Sequence, residues 1–187
     1  MSQRLVELKA KIEDREVREM AERLSEKRLN QAFATAINST LTTVRVQATK
    51  MVRKQVSIEA KYLKRSFRIV KAKADNLSGV VVGFGAGLPL KAFKPRKRRK
   101  GFSAKLWGER KVFKTAFEVQ KIGNHIFIRK GKDRLPIKKL YGPGVGHILS
   151  QKSLMNELQS VGQEKLLTNT TRQIDRAIAG PKGKGRT

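Results

Sequence analysis

Residues 66–74, SFRIVKAKA, mark the place where the chain leaves a three- to four-residue apolar rhythm for a two-residue one, and that change sets the fold class. Phe67, Ile69 and Lys71 alternate with Arg68, Val70 and Ala72, the pattern of a strand with two unlike faces. Upstream, Ala32, Phe33, Ala36, Ile37, Leu41, Val44, Ala48, Met51 and Val52 form a wide stripe at helical spacing, with Asn30 as the expected punctuation at its start. Many of these residues are small, so a neighbour can pack closely. Thr40, Thr42, Thr43 and Thr49 are weak helix formers, but the period outweighs them. Ser57 before IEAKYLKRS predicts a short helix whose first-turn amides are capped by the Ser57 hydroxyl. Further upstream, Leu5, Leu8, Ile12, Val17, Met20 and Leu24 predict an amphipathic helical arm over residues 1–28. Its i,i+4 charge pairs are mixed in sign, so the arm needs a packing partner for stability.

Downstream of the strand, Asn76 and Gly79 signal a turn, and VVVGFGAG at 80–87 reads as a short buried strand. The spacing of Gly83, Gly85 and Gly87 invites a phosphate-loop reading. Pro89 and Pro95 leave no room for the required helix, and neither a Walker A pattern nor a dinucleotide fingerprint is present. The glycines are expected instead to serve a strand bend or bulge, or to admit a neighbouring backbone. SAKLWG at 103–108, RKVFKTAFEVQ at 110–120 and HIFIRK at 125–130 predict an antiparallel meander. Ile148, Leu149, Leu154, Leu158, Val161, Leu166, Leu167, Ile174 and Ile178 predict a C-terminal helix, interrupted near Gly162, and GPKGKGRT forms a basic tail. The expected fold is α+β: long N-terminal helices packed on an antiparallel β-sheet, with a closing C-terminal helix. The expected divisions are the arm at 1–28, a single domain at 29–178 with a basic loop at 91–114, and the tail at 179–187.

Charge narrows the function. The 187 residues carry a net +28, yet residues 1–26 hold 6 Lys/Arg against 7 Asp/Glu, so the excess lies entirely after them. Self-repulsion of that size opposes folding, and it points to a polyanionic or acidic partner. Cysteine is absent, which excludes disulfides, thiolate metal sites and cysteine nucleophiles. No apolar run approaches the ~20 residues of a membrane span, so no membrane partner is expected. MSQRLVELKAKIEDRE lacks a signal-peptide core, predicting synthesis in the cytoplasm. His125 and His147 are not at metal-ligand spacing, and Glu59, Asp75, Glu109, Glu118 and Asp133 are scattered among Lys and Arg. The carboxylates are expected to form ion pairs. No enzymatic activity, metal or cofactor is predicted.

The densest cluster is KPRKRRK at 94–100: Lys94, Arg96, Lys97, Arg98, Arg99 and Lys100. Residues 91–114 hold 11 Lys/Arg against Glu109 alone. Such a stretch can contact phosphates without reading bases, dock on an acidic protein, or be merely solvated. Phe93, Phe102 and Trp107 flank it and are expected to anchor a core or an interface rather than to stack on bases. Arg45, Lys61, Lys64, Arg65 and Arg68 extend a basic polar face on the helices, on which Lys50, Arg53 and Lys54 are the second candidate grip.

RLPIKKLYGPG at 134–144 is the most specific motif. Pro136 sets an extended lead-in, Ile137 and Leu140 can enter a core, Tyr141 follows, and Gly142-Pro143-Gly144 makes a sharp exit. It serves either to define the fold or to contact another subunit. Together with ATAINSTLTTVRVQATKMVRKQ at 34–55, GFSAKLWG at 101–108 and FKTAFEV at 113–119, it resembles the minor tail protein Z family of tailed bacteriophages and prophages. That resemblance implies a structural virion protein, without catalytic residues, that makes tails competent to join DNA-filled heads. With it, the expected assembly is a homo-oligomeric ring or partial ring at the head–tail neck, touching tail terminator and head-completion or connector proteins, with basic segments facing either the genomic DNA of the channel or acidic neighbours. Charge alone is also consistent with a cytosolic, non-sequence-specific nucleic-acid-binding protein of the ribosome or nucleoid.

Overall fold

A computed structural model describes residues 4–8, 24–107 and 109–180, the first of these segments by its backbone alone. In chain order the main elements are β1 (Arg4–Leu8), α1 (Glu26–Gln55), α2 (Ala60–Arg65), β2 (Phe67–Val70), β3 (Gly79–Gly83) and β4 (Leu88–Pro89). They continue as β5 (Arg96–Arg98), β6 (Gly101–Leu106), β7 (Glu109–Lys114), β8 (Phe117–Val119) and β9 (His125–Arg129). The chain closes with β10 (Ile137–Lys139), β11 (Tyr141–Gly142), α3 (Val145–Leu149) and α4 (Lys152–Ala179). Single 3₁₀ turns lie at Leu90–Phe93 and Gln120–Ile122. The fold is α+β, as the change of period at residue 66 predicts.

The chain forms two compact units. Of the described residues, one comprises 5–8, 24–47, 68–82 and 153–180, the other Arg4, 48–67, 83–107 and 109–152. The first is helix-rich. Its part of α1 buries Ala32, Ala36, Ile37, Leu41 and Val44, nearly the stripe read from the sequence. In α4 the buried positions are Leu158, Gly162, Leu166, Asn169, Thr170 and Ile174, at steps of three and four. β1, β3 and β2 form a three-stranded sheet in that order, and Val81 and Val82 are buried. Asn38 acts as a strand surrogate: its Oδ1 accepts from Ala72 N at 2.9 Å and its Nδ2 donates to Ala72 O at 3.0 Å. Asn169 Nδ2 donates to Thr40 Oγ1 at 2.9 Å, tying α4 to α1.

The second unit is strand-rich. Its core holds Met51, Val52, Val56 and Leu63 from the helices, Leu90 and Phe93 from the first 3₁₀ turn, Phe102, Ile126 and Phe127 from strands, and Val145 and Ile148 from α3. Strands β5–β6–β7 make one antiparallel sheet and β10–β9–β8 another, while β11 pairs with β4.

Several expectations need correction. Residues 4–8 are a strand, not the start of a helix, and the remainder of the predicted arm, residues 9–23, lies outside the described residues. A short apolar-polar run satisfies both periods, and pairing with β3 decides. Asn30 is interior to α1, which begins four residues earlier. Ser57 does not cap α2: Glu59 holds the N-cap position, and its backbone amide bonds to Ala92 O at 2.9 Å. The expected meander is divided into two sheets because Thr115, with φ +62°, breaks the run at 110–120. The C-terminal helix is continuous through buried Gly162 and is interrupted at residues 150–151, between α3 and α4.

Candidate functional site

Charge is partitioned between the units. Among the described residues the strand-rich unit carries 26 Lys/Arg against 4 Asp/Glu, a net of +22, whereas the helix-rich unit carries 9 against 6, a net of +3. The asymmetry along the sequence is therefore also an asymmetry between folded bodies.

The predicted basic loop at 91–114 is built mainly of strands. Lys94 takes a left-handed conformation (φ +47°) at the end of the 3₁₀ turn and launches β5, whose Arg96, Lys97 and Arg98 are all exposed. Arg99 and Lys100 make the turn into β6. The loop expectation fails because alternation is masked in a nearly unbroken run of cations, while pairing with β6 supplies the backbone partners. Directly opposed residues on antiparallel strands share a face, and the register sets Arg96 opposite Ser103, Ser103 opposite Val112, and Lys105 opposite Arg110. Phe102 and Ala104 therefore turn to the buried side, and Ser103, itself fully buried, lies under the basic side. Its Oγ accepts from Arg98 Nε and from Arg110 Nη1, each at 3.3 Å. A neighbouring groove of about 580 Å³ is lined by Lys97, Arg99, Phe117 and Lys121.

Lys50, Arg53 and Lys54 are exposed near the end of α1, where cations complement the helix dipole. They belong to the same unit as residues 94–100. Among the described residues no ion pair neutralises either group. Glu59 pairs with Lys61 at 3.0 Å, but Asp75, Glu109, Glu118 and Asp133 form no ion pair among the described residues, contrary to expectation. The exposed positions of these acids explain it, since a pair of solvated long side chains returns little energy for the order it demands.

In the 134–144 motif, Pro136 is exposed, Ile137 and Leu140 are only half-buried, and Tyr141 is 55% exposed, so the core contribution expected of Ile137 and Leu140 is partial. Gly142, Pro143 and Gly144 run beside the glycines of 83–87. A Cβ on Gly144 would sit 2.3 Å from Gly85 O, and one on Gly146 would sit 2.4 Å from Gly83 O. These glycines admit a neighbouring backbone, the lesser of the two readings, and Gly146 N donates to Phe84 O at 2.9 Å across the approach. No segment-by-segment reading of the sequence could pair them, because the two glycine runs are some sixty residues apart.

Phe93 and Phe102 are core residues as expected, but Trp107 is 41% exposed. Its ring meets His147 edge-on at 5.7 Å, in a groove of about 780 Å³ shared with Phe113 and Tyr141. This grouping had no signal in the sequence. His125 is half-buried, its Nδ1 shielded and without a hydrogen-bond partner among the described residues. Burial, then the Lys139 and Lys91 charges, lower its pKa below the usual histidine value. No group of three or more metal-ligating side chains gathers among the described residues, and no helix among them is long and apolar enough to cross a membrane.

The model of the prophage minor tail protein Z family matches residues 10–179. Comparisons with curated proteins and with solved structures found no match. The family match covers every helix and strand given above except β1, including all of the basic strand region, and it encloses the four stretches that carried the resemblance. The chain therefore belongs to the prophage minor tail protein Z family.

Proposed function

We propose that this phage minor tail protein is a tail-completion component of the head–tail neck, making the tail competent to join a DNA-filled head. The observation that carries the reading is the concentration of +22 in one unit, whose densest cluster, Arg96–Arg98, is exposed on a strand and forms no ion pair among the described residues. Such a field costs stability unless a polyanion or an acidic neighbour offsets it, and a neck offers both. The strand-rich unit then faces the DNA channel, and copies of the chain assemble as a ring between the tail terminator and the connector. The 134–144 motif and the Trp107 groove offer exposed aromatic surface, through Tyr141 and Trp107, for subunit contacts.

Induction of the prophage with this chain deleted is the decisive experiment. Electron microscopy is expected to show filled heads and full-length tails left unjoined, with joining restored by added wild-type protein. Gold label on the C-terminus is expected at the head–tail junction. Normal virion yield from the deletion, or label at the distal tail tip, overturns the neck reading.

A further inference from the structure

We propose that one face of the β5–β6–β7 sheet binds the phosphate backbone of a nucleic acid, with Arg98, Ser103 and Arg110 as its central grip and Arg96, Lys105 and Lys114 as flanking contacts. The assignment deepens the neck reading and rests on it for the identity of the polyanion as packaged DNA.

Strand register divides the basic region by face. Arg96 and Arg98 on β5, Ser103 and Lys105 on β6, and Arg110 and Lys114 on β7 occupy one side, since Arg96 opposes Ser103, Lys105 opposes Arg110, and Lys114 opposes Gly101 beside Arg98. Lys97, Glu109 and Lys111 belong to the other side, with buried Phe102 and Ala104. The consecutive cluster at 94–100 is thus split by the pleat, and the sheet adds three cations from positions the cluster does not include. Among the described residues of the three strands, the basic side has five cations and no carboxylate.

At its centre, two guanidinium groups are drawn to one neutral oxygen, Ser103 Oγ, at 3.3 Å each. Among the described residues no carboxylate pairs with either group to offset their mutual repulsion, and an anion seated between them would. Arg98 spends only Nε on the hydroxyl and Arg110 only Nη1, so both retain donors in the fork geometry that suits phosphate oxygens. Along each strand, same-side residues repeat about every 6.8 Å, roughly two rises of a nucleic-acid strand, so a regularly charged ligand can meet several cations together. An acidic protein is the weaker fit. Protein interfaces centre on large apolar anchors, and Val112 is the one large hydrophobic residue exposed on this side, whereas nucleic-acid interfaces are polar and strongly positive.

The test uses the full chain, a labelled duplex of about 24 base pairs and fluorescence anisotropy between about 50 and 200 mM salt. The triple variant Arg96→Gln/Lys105→Gln/Lys114→Gln changes exposed residues only and is expected to keep the circular dichroism melt of the wild type. It should weaken binding at least tenfold and flatten the log–log salt slope by about 2 to 3, near 0.9 per lost phosphate contact. Lys130→Gln/Lys132→Gln/Arg134→Gln removes the same charge elsewhere in the unit and should change the slope by less than about 1. Ser103→Ala, which frees both arginines, should weaken binding severalfold. Equal effects of the two triples overturn the assignment, as does a wild-type chain that binds poly-glutamate in preference to duplex or binds neither. The neck reading stands or falls separately, on joined virions and the position of the gold label.

Discussion

At Gly144 and Gly146 the fold depends on the absence of a side chain. Each approaches the 83–87 backbone so closely that a methyl group would meet a carbonyl oxygen, which cannot swing aside as a flexible side chain can. Gly144→Ala is expected to cost at least about 3 kcal/mol, seen as a fall in melting temperature of roughly 6–12 °C. Gly131→Ala, where no atom lies within 4 Å, should stay within about 0.5 kcal/mol. His125 yields a prediction of a different kind. Its folded pKa is lowered, so the fold favours neutral imidazole and the unfolded chain binds the proton more readily. Its contribution is fully present above the unfolded pKa of about 6.5 and is lost as pH falls from there towards the folded value. Urea unfolding measured from about pH 7.5 downwards should show stability decreasing through this window, and His125→Gln should flatten that decrease.

Among the elements, α1 forms on its apolar period despite poor local propensity. Thr35, Thr40, Thr42 and Thr43 each donate a hydroxyl to the carbonyl four residues back, which settles a group that otherwise competes with the helix. The period of its apolar stripe was legible from the sequence, as were the strands at 67–70, 79–83, 101–106, 109–119 and 125–129, because burial on one face is what those patterns encode, whereas β1 and β5 were hidden by an ambiguous period and a run of cations. Boundaries were less so: Asn30 and Ser57 carry the chemistry of punctuation, yet α1 runs through the first, and after the second the Glu59 amide bonds to Ala92 O and sets the start of α2. Asn38 and Asn169 rank two long-range contacts. Asn38→Ala strips partners from both the N–H and the C=O of buried Ala72 and should cost about 2–3 kcal/mol by urea unfolding. Asn169→Leu should cost less, about 1 kcal/mol, because the Thr40 hydroxyl keeps its bond to Ala36 O. A larger loss at Asn169 than at Asn38 would refute that ranking.

For the whole molecule, the dominant quantity is the unequal charge of the two units. A body with +22 that folds against its own repulsion is expected to gain stability from a polyanion. Addition of duplex DNA at low salt should therefore raise the melting temperature of the wild type, and the Arg96/Lys105/Lys114 variant should lose most of that increase. An increase that persists at high salt would count against an electrostatic origin. Membership of a minor tail protein family makes the chain a structural protein of the phage tail.

By itself the sequence determined the α+β class, the polycationic character after residue 26, the exclusion of thiol chemistry and the resemblance to one family. These are properties of composition and of local period, which survive without knowledge of the partners in space. Only the tertiary structure decided which cations share a face. Strand pairing assigns Arg96 and Arg98 to the side of Arg110 and sends Lys97 to the other, and it sets Gly144 and Gly146 against the 83–87 turn. Placement of this kind depends on register between distant segments, and register is fixed by the packing of the whole chain rather than by any stretch of it.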